Sequence, residues 1–193
     1  MSDDTYLVTA NEISAMEGLQ KVHFLNANAK RVNKSLGDLT GITNANGSFR
    51  CVSSIQFHIG NIILGESDCM DVITPVDLVA DTDDHTHPTV TNIARFLQTL
   101  DNDGSPSNGI RISPTLAILA VGQHIDFSQS SSDFENNSAV QTLVNTLTSA
   151  RTAGASDLVP SAQAQAHLQR SIFSLMAGTY TGSYSGDRSG SWT

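Results

Sequence analysis

The spacing of the apolar residues changes once along this chain, and that change constrains the fold more than any other feature. Before Pro75, apolar and polar residues alternate, most clearly where Ile55, Phe57 and Ile59 occupy every second position. Alternation of this kind is typical of a β-strand with one buried face. Beyond Pro75 the apolar residues recur every three or four positions, which is typical of amphipathic helices. The sequence therefore predicts an α+β fold, with a small antiparallel β unit followed by a four-helix segment.

Four helices are predicted from their start signals and apolar stripes. Serine side chains cap helix N-termini and proline fits the first turn, so both residues mark starts. The predicted starts are Pro88, Ser113, Ser132 and Ser161. Glycine often ends a helix, and the last three stripes end before Gly122, Gly154 and Gly178. Because the stripes need partners to be buried, we expect the helices and the sheet to form one compact unit.

The same patterns divide the chain into four segments. We expect a polar N-terminal arm (1–20), a β-rich segment (21–80), a helical segment (81–178) and a C-terminal strand or hairpin (179–193) that is part of a longer β region. In the last segment Tyr180, Tyr184 and Trp192 stand among Gly, Ser and Thr, a composition that favours strands. A hairpin alone is marginally stable. Three alternatives follow: it docks on the chain's own sheet, contacts another molecule, or is the frayed end of a larger domain.

The charge of the chain argues against two classes of partner. The formal net charge is −9, and only 10 residues are Lys or Arg. So few cations neutralise few phosphates, which makes nucleic acids and anionic membrane surfaces poor partners. No apolar run approaches the ~20 residues that a membrane-spanning helix needs. We therefore expect neither a nucleic-acid partner nor a transmembrane segment.

Composition and the two cysteines favour an extracellular, cell-surface or periplasmic location. Charged residues are 15% of the chain, whereas Ser, Thr and Asn together number 55 of its 193 residues. The polar start resembles no secretory signal, which is expected of a cytoplasmic protein or of a mature form. Cys51 and Cys69 are predicted to form a structural disulfide, which would stabilise the fold by about 3 kcal/mol. The alternative is two buried free thiols in a reducing compartment.

The segment 101–109 has the composition of a cation-binding loop. Asp101, Asp103 and Asn108 offer side-chain oxygens, the ligands that Ca²⁺ prefers. The loop is not an EF-hand, because with Gly104 at the sixth position the first and twelfth positions lack the required Asp and Glu. Asp and Asn also form local side-chain turns, and glycines allow positive φ. The segment is therefore either a purely structural turn or a calcium site formed by these three residues.

The histidines carry weaker signals. His85 and His87 lie in an acidic loop and could hold a metal in an extended conformation, but no third ligand is placed by the sequence. A solvated loop leading into a helix explains the same residues. His58, His124 and His167 are expected to be ordinary surface or capped residues. Since no nucleophile elbow, phosphate-binding loop, dinucleotide fingerprint or zinc-protease motif occurs, we predict no enzymatic activity.

Six segments carry a resemblance to known proteins. They are GITNANGSF (41–49), FHIGNIILG (57–65), TPVDLV (74–79), NIARFLQTLD (92–101), DGSPSNGI (103–110) and AGTYTGSYSG (177–186). Together they resemble uncharacterised secreted or lipid-anchored surface proteins of Gram-negative bacteria, and the first two resemble carboxypeptidase-regulatory-like β modules. The resemblance implies a location and an architecture with further β structure at the C-terminus. It implies no catalytic residues.

The function predicted from these observations is a non-enzymatic structural or adhesive module outside the cell or at its surface. Its partners would be other copies of itself or other components of a surface assembly, and Ca²⁺ is the candidate ion. The alternative is a soluble periplasmic or extracellular protein that binds a small ligand between its helices and its sheet.

Overall fold

The structure is a computed structural model, and it describes residues 6–7, 28–32, 39–43, 47, 49–51, 54–176, 182–184 and 190–192. The strands are β1 (Tyr6–Leu7), β2 (Asn28–Val32), β3 (Leu39–Ile42), β4 (Arg50–Cys51), β5 (Ser54–Ile59), β6 (Ile62–Asp68), β7 (Gly182–Tyr184) and β8 (Gly190–Trp192). The helices are α1 (Pro88–Thr99), α2 (Pro114–Leu119), α3 (Ser131–Asn136), α4 (Ser138–Thr148) and α5 (Ser161–Met176). The predicted α+β class, an antiparallel sheet followed by helices, is confirmed.

The main sheet has four antiparallel strands in the order β3-β2-β5-β6. Ile55, Phe57 and Ile59 on β5 are completely buried, while the residues between them are partly exposed. The alternation in the sequence therefore marks the buried face of a strand, as predicted. The buried face packs against residues of α1, α2, α3 and α4 in one hydrophobic core.

Two further strand pairs lie outside this sheet. β1 pairs with β4, so Tyr6 and Leu7 are in a strand that the sequence did not predict. The remainder of the predicted polar arm (1–20) lies outside the described residues. β7 pairs with β8 as an antiparallel hairpin. What that hairpin docks on stays a prediction.

Helix α1 lies at the centre of the helical segment. All its residues from Val90 to Thr99 are buried, although several of them are polar. One side contributes to the main core, and the other packs Val90 and Ala94 against Ala164 and Leu168 of α5. A helix that is buried all round has neighbours on every side. None of the helices in the described ranges is long and apolar enough to cross a membrane.

The third predicted helix is divided in two. The cap is Ser130, not Ser132, and its hydroxyl oxygen accepts a hydrogen bond from the Asp133 N–H (3.1 Å). Asn137 then ends α3 and caps α4, because its Oδ1 accepts from the Ala139 N–H (3.0 Å). Asn side chains compete with the helix for backbone donors. The prediction of one continuous helix from Ser132 was therefore wrong.

Candidate functional site

The acidic loop (residues 101–111) follows α1 and is held by a second loop. The Asn102 N–H donates to the Arg111 carbonyl (2.8 Å), which closes the acidic loop on itself. The Asn102 side chain donates to the Thr152 hydroxyl (2.9 Å), and the Asn102 backbone carbonyl accepts from the Ala153 N–H (3.0 Å). These bonds fix the loop between α1 and α2 to the segment after α4.

Arg151 completes this attachment at the C-terminal end of α1. Its guanidinium donates to the carbonyl oxygens of Thr99, Asp101 (3.2 Å) and Gly154 (2.9 Å). A cation at this end satisfies carbonyl groups that the helix leaves free and complements the helix dipole. Burial lowers the pKa of Arg151, while the nearby Asp101 opposes that effect.

The three residues predicted to bind Ca²⁺ are brought together in this loop. The Asp103 carboxylate accepts from the Ser105 N–H (2.9 Å) and from the Asn108 Nδ2 (3.0 Å), which lower its pKa. Asp101 is completely buried, and its Oδ1 accepts from the Arg111 N–H (2.8 Å). Burial raises the pKa of Asp101 to about 6, and the adjacent Asp103 adds to the effect. The turn predicted from these residues is present, while calcium binding stays a prediction.

The loop that contains His85 and His87 has the geometry of a helix entry. His87 Nδ1 accepts from the Thr89 N–H (3.3 Å) and so caps α1. Asp84 accepts from the Thr86 N–H (2.7 Å) and lies 3.9 Å from His85 Nδ1. Within the described ranges, no group of three or more His, Cys, Asp or Glu side chains could hold a metal. Any cation at the acidic loop would therefore need neutral oxygen ligands beside its two carboxylates.

The remaining histidines differ in environment. His58 is partly exposed and shares a 2.7 Å contact with the Gly60 carbonyl, and His124 is exposed. His167 is only 5% exposed, so the expectation of a surface or capped residue was wrong for it. It lies on α5, which packs against α1, and burial lowers its pKa. The recess beside it, next to Pro75, is too small for a water molecule and offers no volume to a small ligand.

The turn between β5 and β6 docks on the end of α2. The Asn61 N–H donates to the Ala120 carbonyl (3.1 Å), and the Asn61 Oδ1 accepts from the Gly122 N–H (2.8 Å). Gly60 has φ +56°, and a Cβ there would lie 2.4 Å from the Ala120 carbonyl carbon. Only glycine permits this close approach.

Four exposed apolar side chains lie within two residues of Asn61 or Ala120, which make this contact. We call them the turn patch, which consists of Ile63, Ile118, Leu119 and Val121. The exposed fractions of Ile63, Ile118 and Val121 are 53%, 70% and 61%. No Asp, Glu, Lys or Arg occurs from residue 112 to residue 125. The patch therefore combines apolar exposure with an absence of charge in the segment that forms most of it.

The predicted disulfide would join the segments on either side of the β5–β6 hairpin. Ser54, the first residue of β5, pairs with Asp68, the last residue of β6. Cys69 is partly buried against the main core. The backbone of Cys51 is in β4, but its side chain lies outside the described residues. The Cys51–Cys69 disulfide stays a prediction.

Arg95 is a structural residue that the sequence did not reveal. It is completely buried and donates to the Val159 carbonyl (2.7 Å), the Ser131 carbonyl (3.1 Å) and the Glu135 carboxylate (3.0 Å). The bonds join α1 to α3 and to the segment before α5. The one available signal is that Arg95 is the only charged residue of α1. Such a helix is typical of a protein interior, where its cation needs buried partners.

A scan of protein-family models finds no match to this chain, and neither a search of curated proteins nor one of solved structures finds a significant match. The comparisons therefore add nothing to the resemblance to bacterial surface proteins, which stays a prediction. Two sites of the structure bear on function, the acidic loop and the turn patch.

Proposed function

We propose that this protein is a non-enzymatic structural or adhesive module, located outside the cell or at its surface, that associates with a second copy of itself through the turn patch. The observation that carries the proposal is the exposure of Ile63, Ile118 and Val121 around one rigid turn. Monomeric proteins rarely expose large clusters of apolar side chains. Such clusters mark surfaces that another molecule covers.

The charge distribution favours a second copy as that molecule. The chain has a net charge of −9, so two copies repel each other over most orientations. Residues 112–125 contain no acidic side chain, which makes this segment a surface where two copies can meet without apposing carboxylates. Depletion of charged residues is typical of interface cores. A twofold interface would bring the same patch of both copies together.

Composition supports the proposed location. A surface with few charged residues and many hydroxyl and amide groups suits a secreted or surface protein, and so does the predicted disulfide. Surface labelling of intact cells tests the location directly. Labelling confined to lysed cells would contradict the proposed location. Hydrolysis of any compound in a broad substrate panel would contradict the proposal that the protein is not an enzyme.

Sedimentation velocity over a range of concentrations tests the association. We expect a concentration-dependent dimer or larger assembly that the double variant Ile118→Ser/Val121→Ser weakens at least tenfold. Met70→Ser is the matched control, because Met70 is also exposed but lies beyond the opposite end of the β5–β6 hairpin. Circular dichroism should show that both variants remain folded.

Two results would contradict the proposal. One is a wild-type protein that stays monomeric up to about 1 mM, where even a weak interface of about −4 kcal/mol would associate. The other is an assembly that the Met70 variant disrupts as strongly as the Ile118/Val121 variant does.

A further inference from the structure

One carboxylate oxygen in the acidic loop lacks a hydrogen-bond donor. Asp101 Oδ1 accepts from the Arg111 N–H, but Oδ2 is buried and has no hydrogen-bond partner. The nearby Arg151 does not supply one, since its hydrogen bonds go to backbone carbonyl oxygens. A buried carboxylate oxygen without a hydrogen-bond donor is energetically unfavourable. The position of Oδ2 therefore requires an explanation.

The side chain of Asp103 is adjacent to the Asp101 carboxyl group. The two carboxyl groups are close enough for one, if protonated, to donate to the other. Two adjacent carboxylates repel each other unless a proton or a metal ion lies between them. Asp103 itself is exposed, so an ion from solution can reach the pair from this side.

We propose that the acidic loop binds one Ca²⁺ ion between Asp101 Oδ2 and the Asp103 carboxylate. Ser105, Ser107 and Asn108 lie in the same turn, and their side-chain oxygens can supply neutral ligands. Asn108 already contacts Asp103 through its Nδ2, and a 180° rotation of the side-chain amide presents Oδ1 instead. Water molecules complete the coordination on the open side.

The ligand chemistry selects calcium over other metals. The loop offers oxygen atoms alone, whereas Zn²⁺ and Cu²⁺ prefer nitrogen and sulfur. Mg²⁺ requires a near-ideal octahedron, while Ca²⁺ accepts six to eight oxygens in irregular arrangements. Two carboxylates provide modest charge, which corresponds to a dissociation constant of about 10⁻⁴ to 10⁻³ M, as in extracellular calcium modules. The proposed calcium site does not rest on the proposed self-association.

Isothermal titration calorimetry of the full chain with CaCl₂, after dialysis against EDTA and then chelator-free buffer, tests this site. We expect one saturable site, much weaker binding of MgCl₂, and a rise in melting temperature with Ca²⁺. At ten times the dissociation constant, the folding equilibrium should shift about elevenfold toward the folded state. Asp103→Asn should weaken Ca²⁺ binding about tenfold or more, because it removes one of the two charged ligands.

Asp126→Asn is the matched control. Asp126 is exposed and accepts from the Ser128 N–H (2.9 Å), the same local turn that Asp103 makes with Ser105. The control should bind Ca²⁺ like the wild type, and Asp101→Asn should bind it as weakly as Asp103→Asn. Asp103→Asn keeps the test valid if the buried Asp101 variant does not fold. Absence of saturable binding to the wild type, or unchanged binding to Asp103→Asn, would overturn the proposal.

Discussion

Replacing Gly60 by alanine should destabilise the protein more than replacing Gly122, although both glycines have positive φ. The angles are +56° at Gly60 and +77° at Gly122. Alanine in this region is strained by about 1–2 kcal/mol relative to its usual conformation. This backbone strain is common to both substitutions, so the difference between their effects on the free energy of unfolding depends on the space around each Cβ.

The space differs sharply between the two positions. A Cβ at Gly60 would lie 2.4 Å from the Ala120 carbonyl carbon and 2.7 Å from the Val121 nitrogen, whereas nothing lies within 4 Å of a Cβ at Gly122. Backbone atoms cannot rotate away as a flexible side chain can, so the added methyl group must push the β5–β6 turn and the end of α2 apart. Overpacking of this kind destabilises by about 1–3 kcal/mol. We therefore expect about 2–5 kcal/mol for Gly60→Ala and about 1–2 kcal/mol for Gly122→Ala.

Urea denaturation followed by far-ultraviolet circular dichroism measures both free energies of unfolding. Equal destabilisation by the two variants, within about 0.5 kcal/mol, would refute the close approach of the turn to α2. The result also bears on the proposed function, because the docked turn is what places Ile63 beside the end of α2. A shifted turn should weaken self-association as well as stability.

Three further predictions concern Arg95, Asp101 and the two cysteines. Arg95→Met should destabilise the protein by more than about 2 kcal/mol because it leaves buried carbonyls unpaired. Glu135→Gln should destabilise it by under about 1 kcal/mol because Glu135 is exposed. Equal effects of the two variants in urea denaturation would contradict this. Burial raises the pKa of Asp101 from 3.8 to about 6, so in EDTA the folded wild type binds more protons than the unfolded chain between these values. The stability of the wild type should therefore fall by up to about 3 kcal/mol relative to Asp101→Asn as the pH rises from about 4 to 6. Parallel profiles of unfolding free energy against pH for the two proteins would contradict this prediction. Non-reducing mass spectrometry of freshly alkylated native protein should find Cys51 linked to Cys69, and two alkylated thiols would exclude the disulfide.

The fold class was predictable because it depends on local patterns. The alternation at Ile55, Phe57 and Ile59 marks a half-buried strand whatever its neighbours are. Serine at position 113 caps α2 through a bond to the Leu116 N–H (3.2 Å), another interaction within one turn. The break at Asn137 was not predicted because the apolar stripe continues past it. The Asn137 side chain nevertheless ends one helix and caps the next.

The acidic loop was predictable in part, for the same physical reason. Asp103 and Asn108 bond to groups within five residues, so the composition of the segment is enough to indicate a turn. Asp101 is buried by contacts that the local sequence does not contain. Arg151 donates to the end of α1 although 52 residues separate it from Thr99 in the sequence, and 64 residues separate Arg95 from its acceptor Val159. Such partners become known only when the packing of the helices is known.

Helix α2 connects the two sites on which the proposals rest. Before it, the Arg111 N–H donates to the Asp101 carboxylate at the acidic loop. After it, the Ala120 carbonyl accepts from Asn61 at the turn patch. A helix of only six residues has little stability of its own, so its position depends on the burial of Leu116 in the core and on these two attachments. An ion that orders the first attachment would therefore also order the surface at the second, and calcium binding and self-association would strengthen each other by the same factor.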